Sequence, residues 1–227
     1  MQNDTTPTVA VSVIEIKSFA AMLKTGSQDL HDEAESGDFQ RRMVDGALVR
    51  REFVAFLQQM WHVHRCLEPL YREAAEREPR FAAMLHEDHF RLSKIERDLY
   101  DLVADPVEAV LSSSSRFNAY TTTAVRANPL SLLGVLYVNE GATNGNKIIA
   151  KRLRDQLGIA PATAMRYLDP HGQDQRPRWR AFKEGLDELV LTADERAQCL
   201  AAARATFRLH MDLTQQLNDR ELKTAGV

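Results

Sequence analysis

Apolar residues recur at three- and four-residue spacing along most of the chain, the pattern of helices that bury one face. A first amphipathic stretch runs from about Val11 to Ala34, with Phe19, Met22, Leu23, Leu30 and Ala34 on one side and His31 at the margin of that face. A second, Phe39 to Leu48, is closed near Asp45-Gly46, and a third, Arg51 to Ala75, aligns Phe53, Phe56, Leu57, Met60, Trp61, His64, Leu67 and Tyr71. After Pro79 the pattern predicts helices over Phe81–Phe90 and Leu92–Val103, a break at Asp105-Pro106, and a helix over Phe117–Arg126. Asn128-Pro129 opens a long helix from Leu130 to about Leu157, which Gly158 is placed to end. The turn residues of Asp169–Pro177 predict a polar, mobile loop. Two last helices follow, Trp179–Leu189 and Asp194–Asn218, with Thr192 and Glu195 spaced as a capping box. No stretch alternates as a strand would, so the fold class is all-α.

With 227 residues, a 44% hydrophobic fraction and no internal repeat, the chain reads as one helical domain over residues 11–218. A flexible N-terminus (residues 1–10) and a C-terminal tail (219–227) flank it. The net charge of -3 gives no electrostatic reason to expect nucleic acid or an anionic membrane surface as partner. No apolar run approaches the roughly 20 residues that span a bilayer, and the start lacks a signal-peptide design. A cytoplasmic location is expected. Cys66 and Cys199 have no CxxC spacing and read as reduced core thiols.

Candidate chemistry begins with Gly134, Gly141 and Gly145, which fall within about 40° of one another on the long helix. Each glycine costs about 1 kcal/mol relative to alanine, so a bare stripe implies that something approaches the backbone closely, either another helix or a flat ligand. The flanking segment YVNEGATNGN is unusually polar for a buried helix. Polar groups beside a bare backbone suggest a kinked helix over a cavity with ordered water, as an oxygen-binding pocket needs. His31, at the edge of an apolar face, is either a hydrogen-bonded packing residue or an iron ligand; Asp29, Asp32, Glu33 and Glu35 offer acceptors for its second ring nitrogen.

Residues 23–68, LKTGSQDLHDEAESGDFQRRMVDGALVRREFVAFLQQMWHVHRCLE, resemble the opening helices of haem oxygenases, whose L-K-x-x-T/S-x-x-x-H-x-x-A-E pattern carries the proximal histidine. YVNEGATNG (137–145) is similar to the bacterial family's distal-helix motif Y-V-x-E-G-S/A-x-x-G-G, and residues 89–102 and 182–217 resemble the corresponding family helices. The resemblance implies that haem, at once substrate and cofactor, lies between the first helix and the glycine helix with His31 on the iron. It further implies that Gly141 and Gly145 leave room for bound oxygen. Lys24 and Lys183, or its neighbour Arg180, would meet the propionates, and Phe207 would line the pocket; both lysines also read as ordinary surface charges.

The implied reaction opens the porphyrin to biliverdin with release of CO and ferrous iron. It uses O2 and electrons from a donor such as ferredoxin or a flavoprotein reductase. Ala142 stands where many relatives carry an aspartate that organises distal water, and Asn146 where a second glycine is usual, which leaves Asn139, Thr143 and Asn144 as candidates to orient water. His210, on a late helix, is a pocket donor or a core histidine. Two other readings stay open. One is a non-haem iron oxidase drawing on Glu68, His89, Glu140 and His210, and the other a haem-binding carrier or sensor that lacks turnover because of Ala142.

Overall fold

The structure, a computed structural model, describes residues 18–103, 108–160 and 163–225. Among these described residues nine α-helices follow one another: α1 (Phe19–Ser36), α2 (Asp38–Val44), α3 (Arg50–Arg77), α4 (Pro79–Ala82), α5 (Leu92–Asp101), α6 (Ser112–Ala127), α7 (Leu132–Gln156), α8 (Gln175–Glu188) and α9 (Ala193–Ala225). Single 3-10 turns at Glu87–His89, Pro129–Ser131 and Gly172–Asp174 lead into α5, α7 and α8. No strand occurs among the described residues, in keeping with the all-α expectation. The start of the first predicted helix at Val11, the flexible N-terminus and the Asp105-Pro106 break lie outside the described residues.

Helix ends follow the local chemistry. The Ser18 hydroxyl accepts from the Ala21 amide to start α1, and Gly158, at φ +63°, stops α7. Thr192 and Glu195 form the expected reciprocal box: the Glu195 amide donates to the Thr192 hydroxyl, and the Thr192 amide to the Glu195 carboxylate. α3 continues through Pro69 because residues on both sides of it, Leu67, Leu70 and Tyr71, are anchored in the core.

Several boundaries differ from the periodicity: α2 ends at Val44, α8 starts at Gln175 within the expected loop, and three further differences have a clear setting. Phe81–Phe90 is not one helix but a single turn followed by a 3-10 turn. There the His86 amide donates to Nδ1 of His89, a local side-chain bond that displaces the helical one. The four serines at 112–115 belong to α6, because Gln216 and Gln59 satisfy the hydroxyls of Ser112, Ser113 and Ser114 from neighbouring helices. The α9 backbone stays helical to Ala225, through most of the expected tail.

α9 is the spine. α1, α2, α6 and α7 all pack along it, α3 crosses behind, and α8 touches both α1 and α7. Close approach is built from small residues. A Cβ added at Gly134 would lie 1.9 Å from the Cys199 carbonyl oxygen on α9, and one added at Gly26 would meet Leu200. α1 and α7 are thus both seated on α9, next to each other but without an extensive direct contact.

Candidate functional site

His31 lies near the C-terminal end of α1, its side chain 47% exposed. The helix is fixed there from α9. The Arg204 guanidinium donates to both Asp29 carboxylate oxygens, at 2.6 and 2.8 Å, and to the Gly26 carbonyl at 2.6 Å. This fork holds the Asp29 carboxyl below its ordinary range. One turn further along α9, Phe207 meets the His31 ring edge-on with 5.8 Å between centroids. The imidazole is steered by packing, and no hydrogen bond from the described residues occupies either ring nitrogen: Asp32 and Glu35 oxygens stand 3.6 and 3.8 Å away. Asp29, one of the expected acceptors for the ring, is committed to Arg204 instead. Lys24 is exposed on α1 and, seven residues before His31, shares its face.

The glycine stripe of α7 divides into three jobs. Gly134 is buried against the α9 backbone, the close packing of one helix on another. At Gly141 the Trp179 ring of α8 lies 3.4 Å from where a Cβ would sit, and at Gly145 a Cβ would meet nothing within 4 Å. Helix packing accounts for one end of the stripe, and the backbone is open at the other. Trp179 also packs against Tyr137 and Phe182, and Lys183 holds its ammonium 5.4 Å from the Trp179 ring centre.

At residues 139–141 the helix is unusually loaded. Three consecutive carbonyls each accept an extra side-chain bond: Asn139 from Arg91 at 3.3 Å, Glu140 from the Thr143 hydroxyl at 2.6 Å, and Gly141 from the Asn144 amide at 3.0 Å. Such back-bonding competes with the helical ladder and favours local bending. The Asn144 nitrogen, a candidate for orienting water, is turned back onto the helix, while Ala142 is exposed.

Behind this segment is a buried ionic cluster that periodicity alone had not brought together. Glu140, 3% exposed, pairs with the Arg91 guanidinium, while its other oxygen is 3.3 Å from Nε2 of His171. His89 Nε2 lies 3.8 Å away. Burial alone would raise the Glu140 pKa, but the His171 hydrogen bond and the Arg91 charge outweigh it and hold the carboxyl at about 2. Burial pushes His89 down to about 4 despite the nearby Glu140 charge. Glu68 caps α5 across the fold, accepting from the Arg91 and Leu92 amides at 2.6 Å each, with Nδ1 of buried His64 at 3.4 Å. These carboxylates are already neutralised by a guanidinium and by amides. No three metal-ligating side chains among the described residues are arranged to hold a metal ion, and the non-haem iron reading loses its ligand set.

One sequence signal pointed at this cluster. Glu140 follows Leu133 and Leu136 by seven and four residues, a carboxylate on a core stripe. The polar loop that looked mobile supplies His171, whose side chain is only 1% exposed, and Lys147 ties it down through the Gly172 carbonyl at 2.9 Å.

An unhydrogen-bonded imidazole on one helix and open glycine backbone on a second, both resting on a third, fit a flat, iron-bearing ligand with basic residues nearby. The family model described as "Heme oxygenase" matches residues 17–216, most of the chain. The chain belongs to the haem oxygenase family. That makes it a haem-degrading oxidoreductase whose substrate, haem, is also its prosthetic group. Heme oxygenase 1 of Pongo abelii is 21% identical over 204 residues, covering 87% of this chain and 70% of that protein. A heme oxygenase of Xanthomonas campestris pv. campestris is 37% identical over 75 residues, 33% of this chain and 44% of that one. Among solved structures, heme oxygenase-1 of Synechocystis sp. PCC6803, crystallised in complex with heme, superposes with a TM-score of 0.82. The two are 15% identical, and the match covers 92% of this chain and 96% of that one. No helix among the described residues is long and apolar enough to cross a membrane.

Proposed function

We propose that haem binds between α1 and α7 with His31 as the iron ligand, and that the enzyme converts it to biliverdin with release of CO and ferrous iron. The observation that carries this reading is the His31 imidazole. It is half exposed, steered by Phe207 and anchored through Arg204, and no other described residue ties up its ring nitrogens by a hydrogen bond.

Gly145 supplies the facing wall, where backbone with no side chain lets a planar ring and a small gas molecule approach. Gly141 lies on the same face, its backbone flanked by Trp179. When bound, haem supplies the iron that takes up oxygen and the porphyrin carbon that is oxidised. The protein supplies position and solvation. Lys24 on α1 and Lys183 on α8 are the cations we assign to the propionates; Lys183 is held near the site by Trp179. With Ala142 in place of a carboxylic acid, we assign distal water to the Asn144 side-chain carbonyl oxygen, a neutral group that orients water without delivering a strong acid.

A soluble one-electron donor such as ferredoxin, or a flavoprotein reductase, fits this reading, with catalysis in the cytoplasm, where Cys66 and Cys199 stay reduced. The test is to add ferric haem to the purified protein and then ascorbate or reduced ferredoxin under oxygen. The expected result is a Soret band that decays as a red-absorbing verdin band grows. A Soret band that persists unchanged would contradict turnover, and point to a carrier.

A further inference from the structure

We propose that Glu140 is a positioning residue for haem degradation, held by Arg91 and His171 so that it fixes the α7 backbone at Gly141 and docks segment 163–174 onto it. The inference rests on the reading that haem lies along the Gly141–Gly145 face. Glu140 does not itself reach that face, because helical geometry turns its side chain about 100° from Gly141 and about 140° from Gly145. It works from behind.

A carboxylate buried this deeply persists only with partners, and its partners come from two other parts of the fold. Arg91, just before α5, grips α7 twice, through the Glu140 side chain and the Asn139 carbonyl. His171 comes from the segment between α7 and α8. That segment is anchored at its other end by α5, where Asp98 and Asp101 receive Arg166 and Asp98 also accepts the Tyr167 amide at 2.9 Å. Ala164 and Met165 adopt left-handed backbone there, at φ 49° and 66°, a conformation that must be held by its surroundings. Segment 163–174 thus runs from α5 to α7, and the Glu140–His171 contact is a buried tie at its α7 end.

The groups facing Glu140 are Arg91, His89 and His171, with Glu68, His64 and Tyr71 beyond Arg91. Arg91 reaches only one Glu140 oxygen, so the donor from His171 satisfies the other. The stretch that the tie restrains is also the weakest part of α7 as a helix. It contains Gly141 and Gly145, and the carbonyls of residues 139–141 carry extra acceptor bonds. Loosening the tie frees this stretch to shift against haem that remains held by α1.

The test compares His171→Ala, His171→Gln and Glu140→Gln in the full-length protein. Hydrogen exchange without haem should accelerate at least tenfold in residues 137–145 and 163–174 of His171→Ala, with α3 unchanged. Its haem affinity should stay within threefold of wild type while kcat falls at least tenfold, with an altered absorption spectrum of the ferric complex. His171→Gln, which presents an amide donor, should recover most of both. Wild-type exchange in His171→Ala, unchanged kcat, or no recovery in His171→Gln would overturn the proposal. If Glu140→Gln folds it should behave as His171→Ala does; if it does not fold, the His171 pair decides. A wild-type protein that binds no haem would instead sink the site reading, and the exchange comparison, which needs no haem, separates the two failures.

Discussion

The His31 ring meets Phe207 edge-on at 5.8 Å, so the proposed iron ligand is oriented from α9 by an aromatic contact rather than by a hydrogen bond. Edge-to-face pairs contribute about 0.5–1.5 kcal/mol beyond burial. Phe207→Leu should therefore weaken haem binding roughly 2- to 10-fold without preventing it, read by Soret titration. Unchanged affinity would mean that the ring pair does not set the ligand.

Gly134 and Gly145 share one face of α7 but should respond oppositely to the same substitution. Gly134→Ala places a methyl 1.9 Å from the Cys199 carbonyl oxygen and should destabilise the apoprotein by about 1–3 kcal/mol or more, because two backbones must separate. Gly145→Ala meets open space and should stabilise the apoprotein by up to about 1 kcal/mol through helix propensity, yet weaken haem binding by filling the ligand face. Thermal unfolding and haem titration of the two variants check both halves.

Acid should unfold the protein progressively from near neutrality. His89 sits at about 4 in the fold against 6.5 ordinarily, so between those values the unfolded chain binds more protons and stability falls as pH falls. At 1.36 kcal/mol per unit, that histidine alone accounts for roughly 3 kcal/mol. His64 and His210 are lowered by burial and act in the same direction. Glu140, at about 2 against 4.5, extends the loss below pH 4.5. His89→Asn, whose side-chain oxygen can still accept the His86 amide, should flatten the pH 6.5–4 limb of the stability profile measured by urea unfolding. A profile identical to wild type would contradict the assignment.

The two cysteines should differ as reagents. Burial pushes the Cys199 thiol up to about 12, and its Sγ donates to the Leu130 carbonyl at 3.0 Å, whereas Cys66 is only half-buried. A thiol reagent at pH 8 should label Cys66 in the native protein and reach Cys199 only on unfolding, which peptide mapping resolves.

Much of this was legible in the residues. Apolar spacing foretold the long helices, the Thr192–Glu195 box marked the start of α9, and His31 emerged at the margin of a buried face, where the structure has it. What periodicity could not supply was the partner of each face. The glycine stripe reads the same at Gly134 and Gly145, and only the path of α9 makes one a helix contact and the other an opening. The Arg91–Glu140–His171 cluster joins residues 49 and 31 positions apart, and a turn-rich loop gives no hint that its histidine is buried. Helix 81–90 failed for a local reason, the His86–His89 bond.

The central claim, that His31 holds the haem iron, is tested most directly by the absorption and electron paramagnetic resonance spectra of ferric haem bound to His31→Ala. The account predicts loss of the histidine-ligated spectrum of the wild type and its return when free imidazole is added. A His31→Ala complex that keeps the wild-type spectrum without imidazole would contradict it.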